Sequence, residues 1–178
     1  MTIKEIQDSI VEDFSMFDDW MDRYAMLIEM GKECPIIDDK YRDEKHLING
    51  CQSRVWLSAE LVDGKVNFAA DSDAVITKGI IYLLIKVFSG QTPSDILAAD
   101  MSFLDEIGLK EHLSPTRSNG LLSMVKQMML YAEAFKIQSE KWLTFVKNYR
   151  IWERELWKGK EFIWICISDE GMLRIEKS

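Results

Sequence analysis

At residue 54 the hydrophobic period of the chain changes from that of a helix to that of a strand. "RVWLSAELV" and "KVNFAA" alternate apolar and polar residues around Asp63-Gly64, a strong hairpin signal. Residues 46–48 offer another short strand just before it. The expected sheet is small and antiparallel, with about three strands. Helical patterns surround it, so the fold class is α+β: a small antiparallel sheet packed with helices.

Upstream, "TIKE" reads as a capping box, with Thr2 as N-cap and Glu5 three residues on, followed by Ile6, Ile10 and Phe14 at helical spacing. Asp18-Asp19 start a second helix with Trp20, Tyr24, Leu27 and Ile28 as its apolar stripe and Gly31 as its expected C-cap. Residues 34–45 are polar and turn-rich and read as a loop. Downstream, "DSDAVITKGIIYLLIKVFSG" is long and apolar, which favours a buried helix, with Ser72 or Asp73 as its cap and Gly90 as its end. "TPSD" is a helix start with Thr92 as cap, Pro93 at the first position and Asp95 at the third. A short helix is expected over 102–107, ended by Gly108. A long one is expected from about 121 to 136, with Leu122, Val125, Met129 and Ala132 on one face.

Residues 142–178 differ from the rest. They hold four of the six tryptophans and carry seven Lys/Arg against six Asp/Glu, a net of +1, so the remainder of the −8 chain carries −9. Trp142, Phe145, Tyr149, Trp152 and Leu156 fall at helical spacing, and "FIWICIS-DEG-MLRI" reads as a hairpin turning at 169–171. The expected organisation is therefore a body over 1–141 and an aromatic-rich C-terminal helix/hairpin extension over 142–178.

Composition narrows the function classes. With 47% hydrophobic and 29% charged residues the chain reads as globular. Its acidity disfavours nucleic acid and anionic membranes as partners. The first residues are acidic and lack a signal peptide's apolar core, so the cytoplasm is the expected compartment. Three widely spaced cysteines argue against a disulfide framework; two histidines and no Cys-x-x-Cys pair argue against a Cys/His-rich zinc site, while counting leaves a mixed site using carboxylates open.

Within that frame Cys51 stands out. It lies in "HLINGCQSRVWL", in a polar, glycine-bent break between two apolar stretches. Gly50 lets the backbone bend, and Asn49 and Gln52 can hydrogen-bond a sulfur or its attacker. A reactive thiol at a loop tip and a small inert packing thiol both fit. Cys34 and Cys166 read as packing residues. Arg117, in the Ser/Thr/Pro-rich turn of "HLSPTRSNG", could pair with a carboxylate or stabilise a thiolate, or simply be solvated beside a capping turn. His112 is a weaker candidate base. Asp71 and Asp73 of "DSDA" could act as paired acids or metal ligands, but helix capping explains them as well.

Taken together, "INGCQSRVWL", "DSDAVITKGIIYLL" and "TPSDI…HLSPTRSNGL" resemble, in order and spacing, the SufE/CsdE family of sulfur-acceptor proteins over about residues 3–138. The resemblance implies the α+β fold shared with IscU-type scaffolds. It implies that Cys51 accepts sulfur from the persulfide of a pyridoxal-phosphate cysteine desulfurase of the SufS or CsdA type, and passes it to an assembly complex containing SufB. The chain would then be a sulfur-transfer partner rather than a stand-alone enzyme, with no cofactor of its own, the pyridoxal phosphate being on the desulfurase. Gly50, Gln52, Asp73 and Arg117 are implied as supporting or partner-contact residues. A regulatory binding module with an inert Cys51 and an IscU-like cluster or metal scaffold are the rival readings. The oligomeric state, a homodimer included, stays open.

Overall fold

The structure is a computed structural model. It describes residues 1–156, 163–167 and 173–177, with side-chain surroundings for residues 1–139. The chain divides into two units, Met1–Ile137 and Gln138–Ser178, each described by itself.

In the first unit, helix α1 (Ile3–Ser15) opens on the expected capping box: the Glu5 amide donates to Thr2 Oγ1 and the Thr2 amide to the Glu5 carboxylate. Ile3, Gln7, Ile10 and Phe14 turn one face inward, and the buried Gln7 amide is satisfied by the Asp100 carbonyl at 2.7 Å. Helix α2 (Trp20–Lys32) starts at Asp19, whose carboxylate accepts the Met21 amide.

Strands β1 (Val55–Val62) and β2 (Lys65–Ser72) form the hairpin, in register from Val55↔Ser72 to Val62↔Lys65. Asp63 and Gly64 both adopt positive φ, 51° and 76°, as a two-residue turn of this hand requires. Val55, Leu57, Val66, Phe68 and Ala70 are buried on the hairpin's inner face, while most of their neighbours are less covered. The third strand is reduced to a single bridge, Leu47↔Trp56, in which the Ile48 amide donates to Val55 and the Leu57 amide to His46. Pairing stops there because Gly50, at φ 90°, turns the chain away.

Helix α3 (Val75–Phe88) is the central element, with nine buried positions. Its cap differs from expectation. Ala74 is the N-cap and makes no side-chain cap bond, while Ser72 and Asp73 are engaged with the loop before β1. Gly31 also differs: it lies in the last turn of α2, two residues before the actual C-cap, Glu33. A Cβ on Gly31 would sit 2.9 Å from the Gly79 nitrogen, and one on Gly79 would sit 2.1 Å from the Leu27 carbonyl oxygen. The two glycines let α2 and α3 cross with their backbones in contact. That pairing is set by residues 48 positions apart and has no local signature.

Helices α4 (Pro93–Leu97), α5 (Phe103–Glu106) and α6 (Leu109–His112) are short. The Thr92 cap, Pro93 and Asp95 behave as expected, and Gly108 ends its helix in the left-handed conformation, φ 71°. Helix α7 (Pro115–Leu156) begins six residues before the expected start. A proline at the first helical position is compatible with a helix because its missing N–H would have no partner there anyway. Its buried face is Leu121, Met124, Val125, Met128 and Ala132; Leu122 is 56% exposed. The doublets Leu121-Leu122 and Met128-Met129 permit either register. The burial of Gly120 against Cys51 accompanies the one adopted.

In the second unit, β3 (Ile163–Ile167) pairs antiparallel with β4 (Leu173–Lys177), placing Cys166 opposite Arg174. The expected turn at 169–171 lies outside the described residues. Among the described residues no helix is long and apolar enough to cross a membrane.

Candidate functional site

The break that carries Cys51 is a loop hung between two fixed ends. On one side stands the Ile48–Val55 hydrogen bond, 2.8 Å. On the other, Arg54 is clamped by the "DSDA" segment. Its amide donates to Asp73 Oδ1 at 3.0 Å, and its carbonyl accepts from the Ser72 hydroxyl at 2.8 Å and from the Asp73 amide at 3.3 Å. Asp73 thus anchors the base of the loop rather than capping α3. Asp73→Ala removes one of these three bonds. The Arg54 amide should then exchange its hydrogen several-fold faster, with global stability lowered by no more than about 1 kcal/mol; an unchanged exchange rate would contradict the clamp.

The tip of the loop lies against the first turns of α7 in a one-to-one match. Gln52 Oε1 accepts from the Thr116 hydroxyl at 3.2 Å. The Cys51 Sγ–H donates to the Gly120 carbonyl at 3.6 Å, and a Cβ on Gly120 would come within 3.2 Å of that sulfur. Gly50 faces Ser123, whose hydroxyl oxygen a Cβ at residue 50 would meet at 2.8 Å. Positions 116, 120 and 123 are one turn apart on one helix face. Three successive loop residues therefore run down three successive turns of α7. Ser53 joins the loop to α3 by accepting the Thr77 hydroxyl at 3.4 Å.

A cleft under the tip is lined by Cys51, Thr77, Ile80, Arg117, Gly120 and Met124, among others. Burial pushes the half-covered Cys51 thiol above the ordinary cysteine value, so in this resting arrangement it is protonated at neutral pH. Arg117 is exposed at the rim and makes no ion pair among the described residues. It stands in the first turn of α7, not in a turn before it as the sequence suggests, because the helix starts at Pro115.

The remaining candidates lie elsewhere. Cys34 is buried and donates to the Ala70 carbonyl at 3.4 Å, and burial pushes its thiol up to about 11, as befits a packing residue. Asp71 is bridged by Arg42 and Lys78, each at 2.8 Å. Burial pushes its carboxyl up, but Lys78, the Ser72 amide and Arg42 outweigh it and hold the pKa below the usual range. Its partners are structural, and among the described residues no three His, Cys, Asp or Glu side chains converge as a metal site. His112 stacks on Trp20 at 3.9 Å between centroids and does not line the cleft. The sequence reading missed Thr116, Gly120 and Ser123. Had the helix been started at Pro115, their spacing would have placed them on one face.

Residues 8–132 match the family described as the Fe-S metabolism associated domain, SufE. The chain belongs to the SufE family. An uncharacterized SufE-like protein of Rhizobium meliloti is 37% identical over 131 residues, covering 71% of this chain and 94% of the relative. Another from Rhizobium etli is 40% identical over 126 residues, covering 68% and 85%. The solution structure of a hypothetical protein from Thermus thermophilus superposes with a TM-score of 0.62 at 21% identity, over 72% of this chain and 94% of that one, and shows the same fold. The SufE match takes in the Cys51 loop, its Asp73 clamp and the 116/120/123 face of α7. Membership places the chain in iron–sulfur metabolism.

Proposed function

We propose that this SufE-family chain is a sulfur carrier. It takes the outer sulfur of a cysteine desulfurase persulfide onto Cys51 and delivers it to an iron–sulfur assembly complex of the SufB-containing type. The observation that carries the reading is the seat of Cys51: one thiol on a loop with anchored ends, held under cover by the weak bonds of its tip.

The transfer is a thiolate displacement. Cys51-S⁻ attacks the outer sulfur of the donor's R-S-SH, the donor S–S bond breaks, and R-S⁻ leaves, giving Cys51-S-SH. No electrons enter or leave, and the chemistry asks for no cofactor on this chain; pyridoxal phosphate belongs to the desulfurase. In the seat the thiol is protonated and unreactive. Leaving it means giving up the Sγ–Gly120 and Gln52–Thr116 bonds, each a net stabilisation of about 0.5–1.5 kcal/mol or less, so opening is easily driven by a docking partner. Once in water the thiol is freed of the burial that pushed its pKa up, and its thiolate forms more readily. Arg117 lines the same cleft and is a cation available to the thiolate once the loop opens. The reduced cytoplasm suits such chemistry.

The test is turnover. Added to a pyridoxal-phosphate cysteine desulfurase of the SufS or CsdA type, the chain is expected to accelerate cysteine consumption. No acceleration with any such enzyme would leave it a binding module.

A further inference from the structure

We propose that Gly120 is a positioning residue for this reaction: its missing side chain forms the recess in which the Cys51 side chain rests, and so sets how readily the sulfur is offered. The proposal rests on Cys51 being the sulfur acceptor, but its test involves no desulfurase.

A glycine inside a helix is unfavourable by roughly 0.5–1 kcal/mol relative to alanine. Gly120 stands six residues into α7 and, unlike Gly50, Gly64, Gly90 and Gly108, has no positive φ to justify it. Space does. A Cβ there would lie 3.2 Å from Cys51 Sγ, 3.6 Å from its Cα and 3.7 Å from its Cβ. The first of these is tighter than side chains normally tolerate, so one partner must yield. Helix α7 is buried on this side through Leu121 and Met124. Loop residue 52 is hydrogen-bonded to the helix at Thr116, and residue 50 lies close beside Ser123. The Cys51 side chain is the part free to move, and it moves away from the helix, toward solvent. Its bond to the Gly120 carbonyl, already 3.6 Å, is then stretched and weakened.

The experiment is alkylation of the Cys51 peptide by iodoacetamide as a function of pH, read by mass spectrometry, in the parent, Gly120→Ala and Asn119→Ala. Asn119 is exposed in the same turn and does not line the cleft, so its replacement controls for helix propensity alone. Gly120→Ala should react several-fold to about tenfold faster near neutral pH, with its profile displaced to lower pH by up to about one unit, while Asn119→Ala follows the parent. Equal rates and profiles for Gly120→Ala and the parent, within about twofold, would overturn the proposal. Thermal unfolding in a Cys51→Ala background covers the case in which Gly120→Ala folds poorly. If the recess serves the sulfur, alanine at 120 should be better tolerated once the sulfur is gone; an equal penalty in both backgrounds would overturn it.

Discussion

Cys51→Ser is expected to reduce desulfurase stimulation to the rate measured with no carrier added, while leaving the fold unchanged. A serine hydroxyl fits the space of the thiol and can donate to the Gly120 carbonyl as the thiol does. Stability should therefore change by no more than about 1 kcal/mol. The chemistry does not survive, because the hydroxyl does not ionise near neutral pH and oxygen cannot hold the transferred sulfur as a persulfide. No second thiol in the body is placed to substitute: Cys34 is buried, hydrogen-bonded to Ala70 and pushed up to about 11. Stimulation that survived in a folded Cys51→Ser protein would show that docking alone activates the desulfurase.

The largest effect on folding is expected from Gly79→Ala, at the crossing of α2 and α3. The new methyl would lie 2.1 Å from the Leu27 carbonyl oxygen and 2.7 Å from its carbon, both backbone atoms of α2. No side-chain rotamer relieves that overlap, so the helices must separate. Separation loosens the packing around Leu27, Ile80 and Leu83, all buried. A loss of at least about 3 kcal/mol is expected in urea unfolding, against the gain of up to about 1 kcal/mol that glycine-to-alanine gives in an unpacked helix. Gly31→Ala meets the same crossing less severely, at 2.9 Å, and should cost less. Wild-type stability in Gly79→Ala would mean that α2 and α3 do not cross in contact.

What was legible in the sequence is what nearby residues decide. Thr2 with Glu5, Thr92 with Asp95, and Asp63-Gly64 each fix their own backbone within four residues, and the structure has them as expected. The same locality explains the misses. Asp73 sits where a helix cap is usual, yet its carboxylate goes to Arg54, nineteen residues back, because the loop base needs an acceptor there. Gly31 resembles a helix end, but it is spent on Gly79. On α7 Val125 and Ala132 are buried as expected and Met129 packs against the core, but Leu122 is exposed and Leu121 buried in its place, because Leu121-Leu122 allows two registers; the contact of Gly120 with the Cys51 loop, invisible to periodicity, accompanies the one adopted. At the site, Cys51, Gly50 and Gln52 could be named from their setting and the family resemblance. Their seat could not, since Thr116, Gly120 and Ser123 are ordinary residues until the fold sets them opposite the loop.

The most direct measurement is mass spectrometry of the chain after incubation with a cysteine desulfurase and cysteine, digested without reductant. The peptide containing Cys51 is expected to gain the mass of one sulfur atom, to lose it on treatment with a thiol, and to show none when cysteine is omitted. Desulfurase turnover with an unmodified Cys51 peptide, or with the added sulfur on the Cys34 or Cys166 peptide instead, would contradict the assignment of Cys51 as the carrier.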